Sequence, residues 1–331
     1  MLSSLDNFNN YLNNRETPLI YELVLAGACH RGIMYIGVFH YLEKINILKR
    51  SALKKVVGTS IGSFVLALYM SGYTIHELIE MILDQPFEIF KDWSSTVSAI
   101  NLFDGITFRT WVIKCISKYL PKNITMDEFY KKTGIEFIIS VASLETGLVY
   151  VSYKTRPNMI LSDALIASMN VPFVFPPYVT SDGLVKDIYV DGGLLDNFPM
   201  HLLGPRAVGV VPVRKQTSIK DINNPFLYFV KMTELVSSMI KDLRIKETQS
   251  KYIVEINADD SDILDFDLSK DDKITMYKFG YNSVLSSKII DSFIIDFYKN
   301  KLDDVFDELK IVTLFLKFRD IVQKMKNINN V

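Results

Sequence analysis

Hydrophobic residues in the first 75 positions alternate between short apolar runs and helical patterns. Leu19–Leu25 is largely apolar and is predicted as a short buried strand, and residues 32–49 carry apolar side chains at helical spacing. Residues 56 and 57 form a second apolar pair, and Ile61–Ser71 a second helix that Gly72 closes at the usual position of a left-handed C-cap. The pattern therefore predicts strand, tight turn and helix, twice in succession.

The same alternation continues downstream. Residues 136–142 and 148–153 are predicted as paired strands, Ser162 as the cap of a helix that ends at Met169, and Asp182-Gly183 as a hairpin turn. The other predicted elements are strands over 207–213 and 252–256 and helices over 225–249 and 273–290.

Strands that alternate with helices favour a mostly parallel sheet covered on both faces. We therefore expect an α/β fold, a three-layer α/β/α domain with a mostly parallel central sheet over residues 19–290. Residues 1–18 form a polar leader. Residues 291–331 are helical in pattern and are predicted as a C-terminal helical appendage.

Composition narrows the function classes. The 331 residues are 49% hydrophobic, enough for a full core, and 37 basic against 38 acidic residues give no basic excess for phosphate contacts. We therefore expect no nucleic-acid partner. Cys29 and Cys115 lie far apart and match no metal spacing, and no loop has the acidic spacing of a calcium site. We expect neither a metal nor a cofactor.

The sequence also bears on location. The segment MLSSLDNFNNYLNN is polar and lacks the apolar region of a secretory signal peptide. The longest apolar runs, such as Phe64–Met70, are shorter than the ~20 residues that span a bilayer. We expect a cytoplasmic protein, with any membrane contact peripheral.

A candidate nucleophile lies between the second strand and its helix. Gly58-Thr59-Ser60-Ile61-Gly62 has the Gly-x-Ser-x-Gly spacing in which a serine occupies a strained strand-to-helix turn, and the two glycines allow close backbone approach. The helix N-terminus would favour an oxyanion beside Ser60. The alternative is that Ser60 is an ordinary N-cap, since serine is a preferred cap.

The base that would deprotonate Ser60 has more than one candidate. Of the histidines downstream, His76 follows a helix cap and is predicted on a helix face, whereas His201 could complete a triad. Asp191 ends an apolar stretch before Gly192-Gly193, where an α/β fold places reactive groups. The pKa of an unperturbed aspartate is about 3.9, against about 6.5 for histidine, so burial would have to raise it.

The third segment is AGACHRG, which leads from the first strand into the first helix. Its consecutive backbone N–H groups at a helix N-terminus could form an oxyanion hole. A simple turn between strand and helix is the alternative reading. The candidate residues are Gly27, Ala28, Cys29, Arg31 and Gly32.

Together these segments resemble the patatin-like phospholipases. That family has a G-G-G-x-R-G loop, a G-x-S-x-G elbow and a D-G-G or D-G-A motif, in the order in which GACHRG (27–32), GTSIG (58–62) and DGG (191–193) occur here. The resemblance is strongest over residues 19–213. It implies a Ser60–Asp191 dyad that hydrolyses lipid esters through an acyl-serine, with the 27–32 loop binding the oxyanion.

The sequence departs from the family pattern at Ala28 and Cys29, which replace two glycines of the loop. A positive φ at either position would cost a non-glycine residue ~1–2 kcal/mol. The alternatives to an active hydrolase are therefore a catalytically silent protein that binds lipid or a partner, and an esterase that uses His201.

Two further stretches could contact lipid. In residues 309–327, apolar side chains and lysines share a helical pattern, which suits either membrane docking or packing on the main domain. Trp93, Trp111 and the phenylalanines between residues 87 and 108 could line an acyl groove, cover the site as a lid, or belong to the core.

Overall fold

The computed structural model describes residues 17–93, 101–181, 186–214, 225–258 and 267–303. Strands and helices alternate through these ranges. The strands are β1 Glu22–Leu25, β2 Lys55–Thr59, β3 Glu136–Ser143, β4 Gly147–Val151, β5 Tyr178–Ser181, β6 Lys186–Asp191, β7 Val208–Arg214 and β8 Tyr252–Ala258. The helices are α1 Ile33–Lys44, α2 Ile61–Ser71, α3 Ile75–Asp84, α4 Ile106–Ser117, α5 Met126–Thr133, α6 Leu161–Ser168, α7 Pro225–Glu247, α8 Lys270–Leu285 and α9 Lys288–Asp303.

The strands form one sheet in the order β5-β6-β3-β2-β1-β7-β8, with β4 paired to β3. The central pairs β3-β2, β2-β1, β1-β7 and β7-β8 are parallel, whereas β5, β6 and β4 join antiparallel. Helices cover the sheet on both sides. The predicted three-layer α/β/α fold with a mostly parallel sheet is therefore confirmed.

The apolar runs of the sequence form the buried centre of this sheet. Leu23–Leu25 of β1 and the Val56-Val57 pair of β2 are fully buried, as expected for parallel strands that helices cover on both faces. Val57 belongs to a core cluster with Val24, Phe198 and Met200. The two central strands are therefore anchored by apolar packing up to the points where they end.

The edge of β3 that faces β2 changes partner along its length. Ile139 and Ser140 pair with both β2 and β4, so these two strands lie on opposite edges of β3. Residues 141–143 pair with both β4 and β6. Since β4 keeps its edge, β6 takes over the edge of β2 beyond Ser140, and the ends of β2 and β6 must meet.

Three predicted helices differ from the structure in where they begin, end or continue, whereas the bounds of the other predicted elements shift by at most three residues. Helix α1 ends at Lys44 rather than at residue 49, because Asn46 has a φ of 61° and the N–H of Leu48 turns back to Leu42 O at 3.2 Å. The predicted cap Ser162 is wrong: the helix begins at Leu161, its N-cap is Ile160, and Ser162 is buried within the first turn.

The helix predicted over 273–290 is two helices, α8 and α9. The break falls at two serines whose side chains bond the nearby backbone: Ser286 Oγ donates to Asn282 O at 2.8 Å, and Ser287 Oγ accepts from Ile289 N at 3.2 Å. Such local bonds compete with continuous helix. The predicted turn at Asp182-Gly183 lies outside the described residues, but the strands on either side of it, β5 and β6, pair antiparallel.

The chain divides into two compact units, Leu19–Ile289 and a second unit of Met1–Pro18 with Ile290–Val331. The first contains the whole sheet, and the second contributes most of α9 to the described residues. The predicted domain bounds of 19–290 and 291–331 stay a prediction. Within the described part of the chain, none of the helices combines the length and the apolar character that a bilayer span requires.

Candidate active site

The ends of β2 and β6 bring the predicted nucleophile and base together. Thr59, the last residue of β2, is paired with Ser140, and Asp191, the last residue of β6, with the next residue, Val141. Ser60 follows Thr59 directly. Its Oγ donates to Asp191 Oδ2 at 2.6 Å, and both side chains are buried.

Ser60 occupies a strained elbow between β2 and α2. Its φ of 52° and ψ of −130° lie in a region that non-glycine residues rarely adopt. Ser63 N donates to Ser60 O at 2.9 Å, which starts the helix. A Cβ at Gly58 would overlap the backbone of Ser63, and one at Gly62 would lie 2.5 Å from the carbonyl oxygens of β1 and the residue after it. Both glycines of the motif are therefore required by close backbone contact.

The carboxylate of Asp191 has two hydrogen-bond donors. Oδ2 accepts from Ser60 Oγ, and Oδ1 accepts from Gly193 N at 2.7 Å. Burial raises the pKa of Asp191 from 3.8 to about 6, although both hydrogen bonds oppose the shift. Asp191 is therefore a stronger base than an exposed carboxylate and is still mostly ionised at neutral pH.

The two positions after Asp191 also require glycine for steric reasons. A Cβ on Gly192 would overlap Ser140 O, and a Cβ on Gly193 would lie 2.9 Å from the Asp191 carboxylate. On the outer side of this turn, Ser237 Oγ of α7 donates to Gly193 O at 2.7 Å. The turn can therefore approach β3 closely enough to bring Asp191 to Ser60.

The loop after β1 lies against the same serine. A Cβ on Gly27 would lie 3.2 Å from Ser60 Cβ, and the Gly27 backbone exchanges two hydrogen bonds with Asn197, at 3.2 and 3.1 Å. Residues 29–32 then form a short 3₁₀ turn that leads into α1. The structure thus places the predicted oxyanion loop beside the predicted nucleophile.

The two positions that depart from the family pattern differ in conformation. Ala28 has a φ of −150° and a ψ of 4°, outside the left-handed region, whereas Cys29 has a φ of 49° within it. Only Cys29 therefore carries the expected strain, ~1–2 kcal/mol. Arg31 is buried, and its backbone N–H donates to Ala28 O at 3.0 Å. Gly32 has no room for a side chain, because a Cβ there would overlap the side chain of Ile61.

An apolar cleft opens from Ser60, with an empty volume of about 620 Å³. Cys29, Ser60 and Ile61 line one end, and the rest of its wall is largely aromatic: Phe87, Phe90, Phe108, Trp111 and Phe175. Of the aromatic residues for which the sequence left groove, lid and core open, Trp111 and three phenylalanines line this cleft, and those phenylalanines are also buried. Trp93 is not part of it, because its side chain packs on Phe103 and is 71% exposed.

The family model described as Patatin-like phospholipase matches residues 23–203, more than half of the chain. The chain belongs to the patatin-like phospholipase family. This match runs from β1 past the Asp191 turn and includes every candidate residue of the dyad, the elbow and the loop. The resemblance drawn from the three motifs is therefore confirmed.

Two curated relatives and one solved structure resemble this patatin-like chain. "Uncharacterized protein YqhO" of Bacillus subtilis is 26% identical, over 78% of this chain and 94% of that protein. "Probable lipid hydrolase 463L" of Invertebrate iridescent virus 6 is 27% identical, over 60% of this chain and 68% of that protein. VipD from Legionella pneumophila has a TM-score of 0.56 at 15% identity, covering 83% of this chain and 67% of that one, a likeness of fold.

His76 and His201 of this patatin-like chain lie elsewhere, whereas His30 lines the cleft. His201 Nε2 is 3.3 Å from the Tyr150 hydroxyl, which donates to Asp196 Oδ2 at 2.6 Å, and burial lowers the pKa of His201. His76 is on the exposed face of α3, as predicted, beside Glu80. The structure therefore brings Asp191, and not His201, to Ser60.

Two residues that support the dyad were not among those predicted from the sequence. Ser168 Oγ of α6 accepts from Ser60 N at 2.8 Å and donates to Ser140 O at 2.7 Å, which ties the elbow to β3. Asn170 O accepts from Asp191 N at 2.9 Å. A serine and an asparagine two residues apart carry no distinctive spacing, so only the fold reveals them.

The candidate site contains no visible metal-ligand set. Among the described residues, no group of three or more His, Cys, Asp and Glu side chains is arranged to hold a metal ion.

Proposed function

We propose that the protein is a lipid acyl hydrolase of the phospholipase A type that cleaves carboxylic ester bonds of membrane lipids. The observation that carries the proposal is the 2.6 Å hydrogen bond from Ser60 Oγ to the buried Asp191 carboxylate, at the mouth of an aromatic cleft. The family match and the viral relative described as a probable lipid hydrolase support the substrate class. We assign the activity to the predicted domain of residues 19–290.

In the first half-reaction Ser60 Oγ attacks the ester carbonyl carbon. Asp191 Oδ2 accepts the hydroxyl proton along the existing hydrogen bond. The tetrahedral intermediate then expels the alcohol part of the lipid, which takes the proton from Asp191. This leaves the fatty acyl group esterified to Ser60.

The negative charge that forms on the carbonyl oxygen needs donors close to Ser60. We assign this role to the N-terminus of α2 and to backbone N–H groups of the 27–32 loop, which lies against Ser60, other than those of Gly27 and Arg31, which donate to Asn197 O and Ala28 O. Because these donors belong to the backbone, alanine and cysteine at positions 28 and 29 do not remove them.

In the second half-reaction a water molecule attacks the acyl-serine. Asp191, ionised again, accepts a proton from that water, and collapse of the intermediate releases the fatty acid and restores Ser60. A pKa of about 6 suits both halves, since Asp191 is mostly ionised at neutral pH and still binds a proton in passing. The dyad needs no histidine.

The apolar wall of the cleft supports a hydrocarbon substrate, since aromatic side chains can bury an acyl chain while Ser60 contacts the ester. Because such lipids reside in membranes, we propose peripheral contact with a membrane surface. The C-terminal stretch 309–327, whose pattern suits either membrane docking or packing on the main domain, lies outside the described residues.

The proposal is tested by comparing the wild type with Ser60→Ala on a panel of phospholipid, triacylglycerol and galactolipid esters. We expect fatty acid release by the wild type from at least one class and none from Ser60→Ala. Ser71→Ala, a serine on the same helix that bonds Ala67 O, is the matched control and should retain activity. Equal release by the wild type and Ser60→Ala would refute the proposal.

One observation favours a second candidate, a catalytically silent lipid-binding protein. Cys29 is held at a φ of 49° in the loop where the family has glycine, and the strain could displace the donors. Restoring the glycines with Ala28→Gly plus Cys29→Gly should then create activity that the wild type lacks. The third alternative, an esterase dependent on His201, requires that His201→Ala abolish activity, whereas the dyad requires that activity persist.

A further inference from the structure

A second apolar cavity, smaller than the cleft, lies beside it. Part of its wall comes from one face each of two helices, α2 and α3, and Ile33 and Ile36 of α1 also line it. Phe64, Val65 and Leu68 of α2 are spaced as neighbours on a helix surface, as are Leu78, Met81 and Ile82 of α3.

The two cavities share a wall. His30, Ile61, Phe87 and Trp111 line both. The Trp111 ring lies 5.0 Å from the ring of Phe64, on the side of the second cavity, and 5.2 Å from Phe90, on the side of the cleft. Ile61 is the residue directly after Ser60. A chain that enters at Ser60 therefore reaches the second cavity across residues that line both spaces.

We propose that the second cavity receives the distal end of the acyl chain, so that α2 and α3 set the preferred chain length. This inference rests on the proposed function. In the proposed complex the ester carbonyl of the lipid lies at Ser60 and the first methylenes of the acyl chain occupy the aromatic cleft. The end of the chain passes Trp111 into the space between Leu68 and Met81.

The chemistry of the lining selects hydrocarbon over water. Apart from His30, every side chain around the second cavity is apolar or aromatic, so a water molecule would lack the two to four polar partners that it needs. Protein interiors are packed as densely as organic crystals, and an empty space costs stability. An acyl chain end restores those contacts and leaves no polar group unpaired.

The proposal predicts how activity depends on chain length. Each methylene that moves from water into an apolar site contributes a factor of about four. The value of kcat/KM should therefore rise about fourfold per added methylene, first as the cleft fills and then as the second cavity fills, and should level off beyond it.

Two changes alter the second cavity in opposite directions. Met81→Trp fills it from α3, and we expect the ratio of kcat/KM for a 16-carbon ester over a 6-carbon ester to fall about tenfold or more. Trp111→Ala opens the shared wall, and the ratio should rise. Trp93→Ala is the matched control, because Trp93 lines neither cavity, and the ratio should stay as in the wild type.

Leu78→Phe fills the same cavity from a different position and guards against a folding defect of one variant, with circular dichroism and thermal melting recorded for each. An unchanged ratio in folded Met81→Trp and Leu78→Phe would overturn the inference.

Binding gives a second readout that does not require turnover. In Ser60→Ala protein, calorimetric titration with hexadecanoate and hexanoate should show tighter binding of the longer acid, and Met81→Trp should remove about tenfold of that difference. If this difference in binding is found while the wild type cleaves no ester, the cavity assignment stands and the proposed function fails. If esters are cleaved while both acids bind alike in all variants, the function stands and the cavity assignment is overturned.

Discussion

Replacing Asp191 by asparagine should raise the stability of the fold and abolish hydrolysis. Asp191 is 7% exposed and its pKa is raised from 3.8 to about 6, so the native state tolerates its negative charge poorly. Asparagine has nearly the same shape without the charge. A desolvated reactive group in an active site commonly lowers the stability of the folded protein.

The magnitude follows from the pKa shift. A rise of about 2 units corresponds to about 3 kcal/mol of destabilisation at a pH above both values. Because the native state binds the proton more tightly, stability falls as pH rises from about 4 to about 6 and is level above that. Asparagine has a single acceptor oxygen for the two donors, Ser60 and Gly193. The lost hydrogen bond reduces the gain in unfolding free energy by about 1 kcal/mol. We expect a net gain of about 1–2 kcal/mol at neutral pH.

Urea unfolding of the wild type and Asp191→Asn at pH 7.5 and pH 4.0 measures this gain. The difference in unfolding free energy should favour the variant at pH 7.5 and vanish or reverse at pH 4.0. Asp242→Asn, an exposed carboxylate on α7, should change neither value. An Asp191→Asn variant that is less stable at pH 7.5, or that still hydrolyses esters, would refute the account of the buried base.

The other predictions concern the pH profile, the thiol in the cleft and the elbow. The value of kcat/KM should fall about tenfold per pH unit below about 6, as Asp191 takes up a proton, in a profile measured on a soluble ester; a flat profile to pH 4.5 would contradict this. N-ethylmaleimide should modify the partly exposed Cys29 and block the cleft, and the Cys29→Ser variant should resist this inactivation. Burial raises the pKa of Cys115 to about 12, so Cys115 should stay unmodified, which peptide mass mapping would show. Ser168→Ala should cost about 1–3 kcal/mol in urea unfolding, because the buried Ser60 N–H loses its acceptor, and an unchanged midpoint would contradict that role.

The sequence predicted those features that follow directly from a buried apolar run or from a position that only glycine can occupy. The buried runs of β1 and β2 predicted the parallel core, and Gly58 and Gly62 predicted an elbow because only glycine fits those backbone contacts. The distance from Ser60 to Asp191 could not be predicted in this way. It depends on β6 taking over the edge of β3 where β2 ends, which is a property of strand register.

Other features depended on contacts between distant segments. The role of Ser168 needs α6 to pack at the elbow, and the raised pKa of Asp191 needs its burial, neither of which has a local signal. The end of α1 at Lys44 and the break between α8 and α9 arise from single residues that turn the backbone, Asn46 and Ser286. Apolar periodicity continues across both points and therefore predicted longer helices.

Covalent labelling tests the central claim most directly. A fluorophosphonate reacts with an activated serine, and its adduct is located by peptide mass spectrometry. Wild-type protein should carry the adduct on Ser60, Asp191→Asn should label at least a hundredfold more slowly for want of the base, and His201→Ala should label at the wild-type rate. A folded wild type without an adduct on Ser60, or loss of labelling in His201→Ala with retention in Asp191→Asn, would contradict the Ser60–Asp191 dyad.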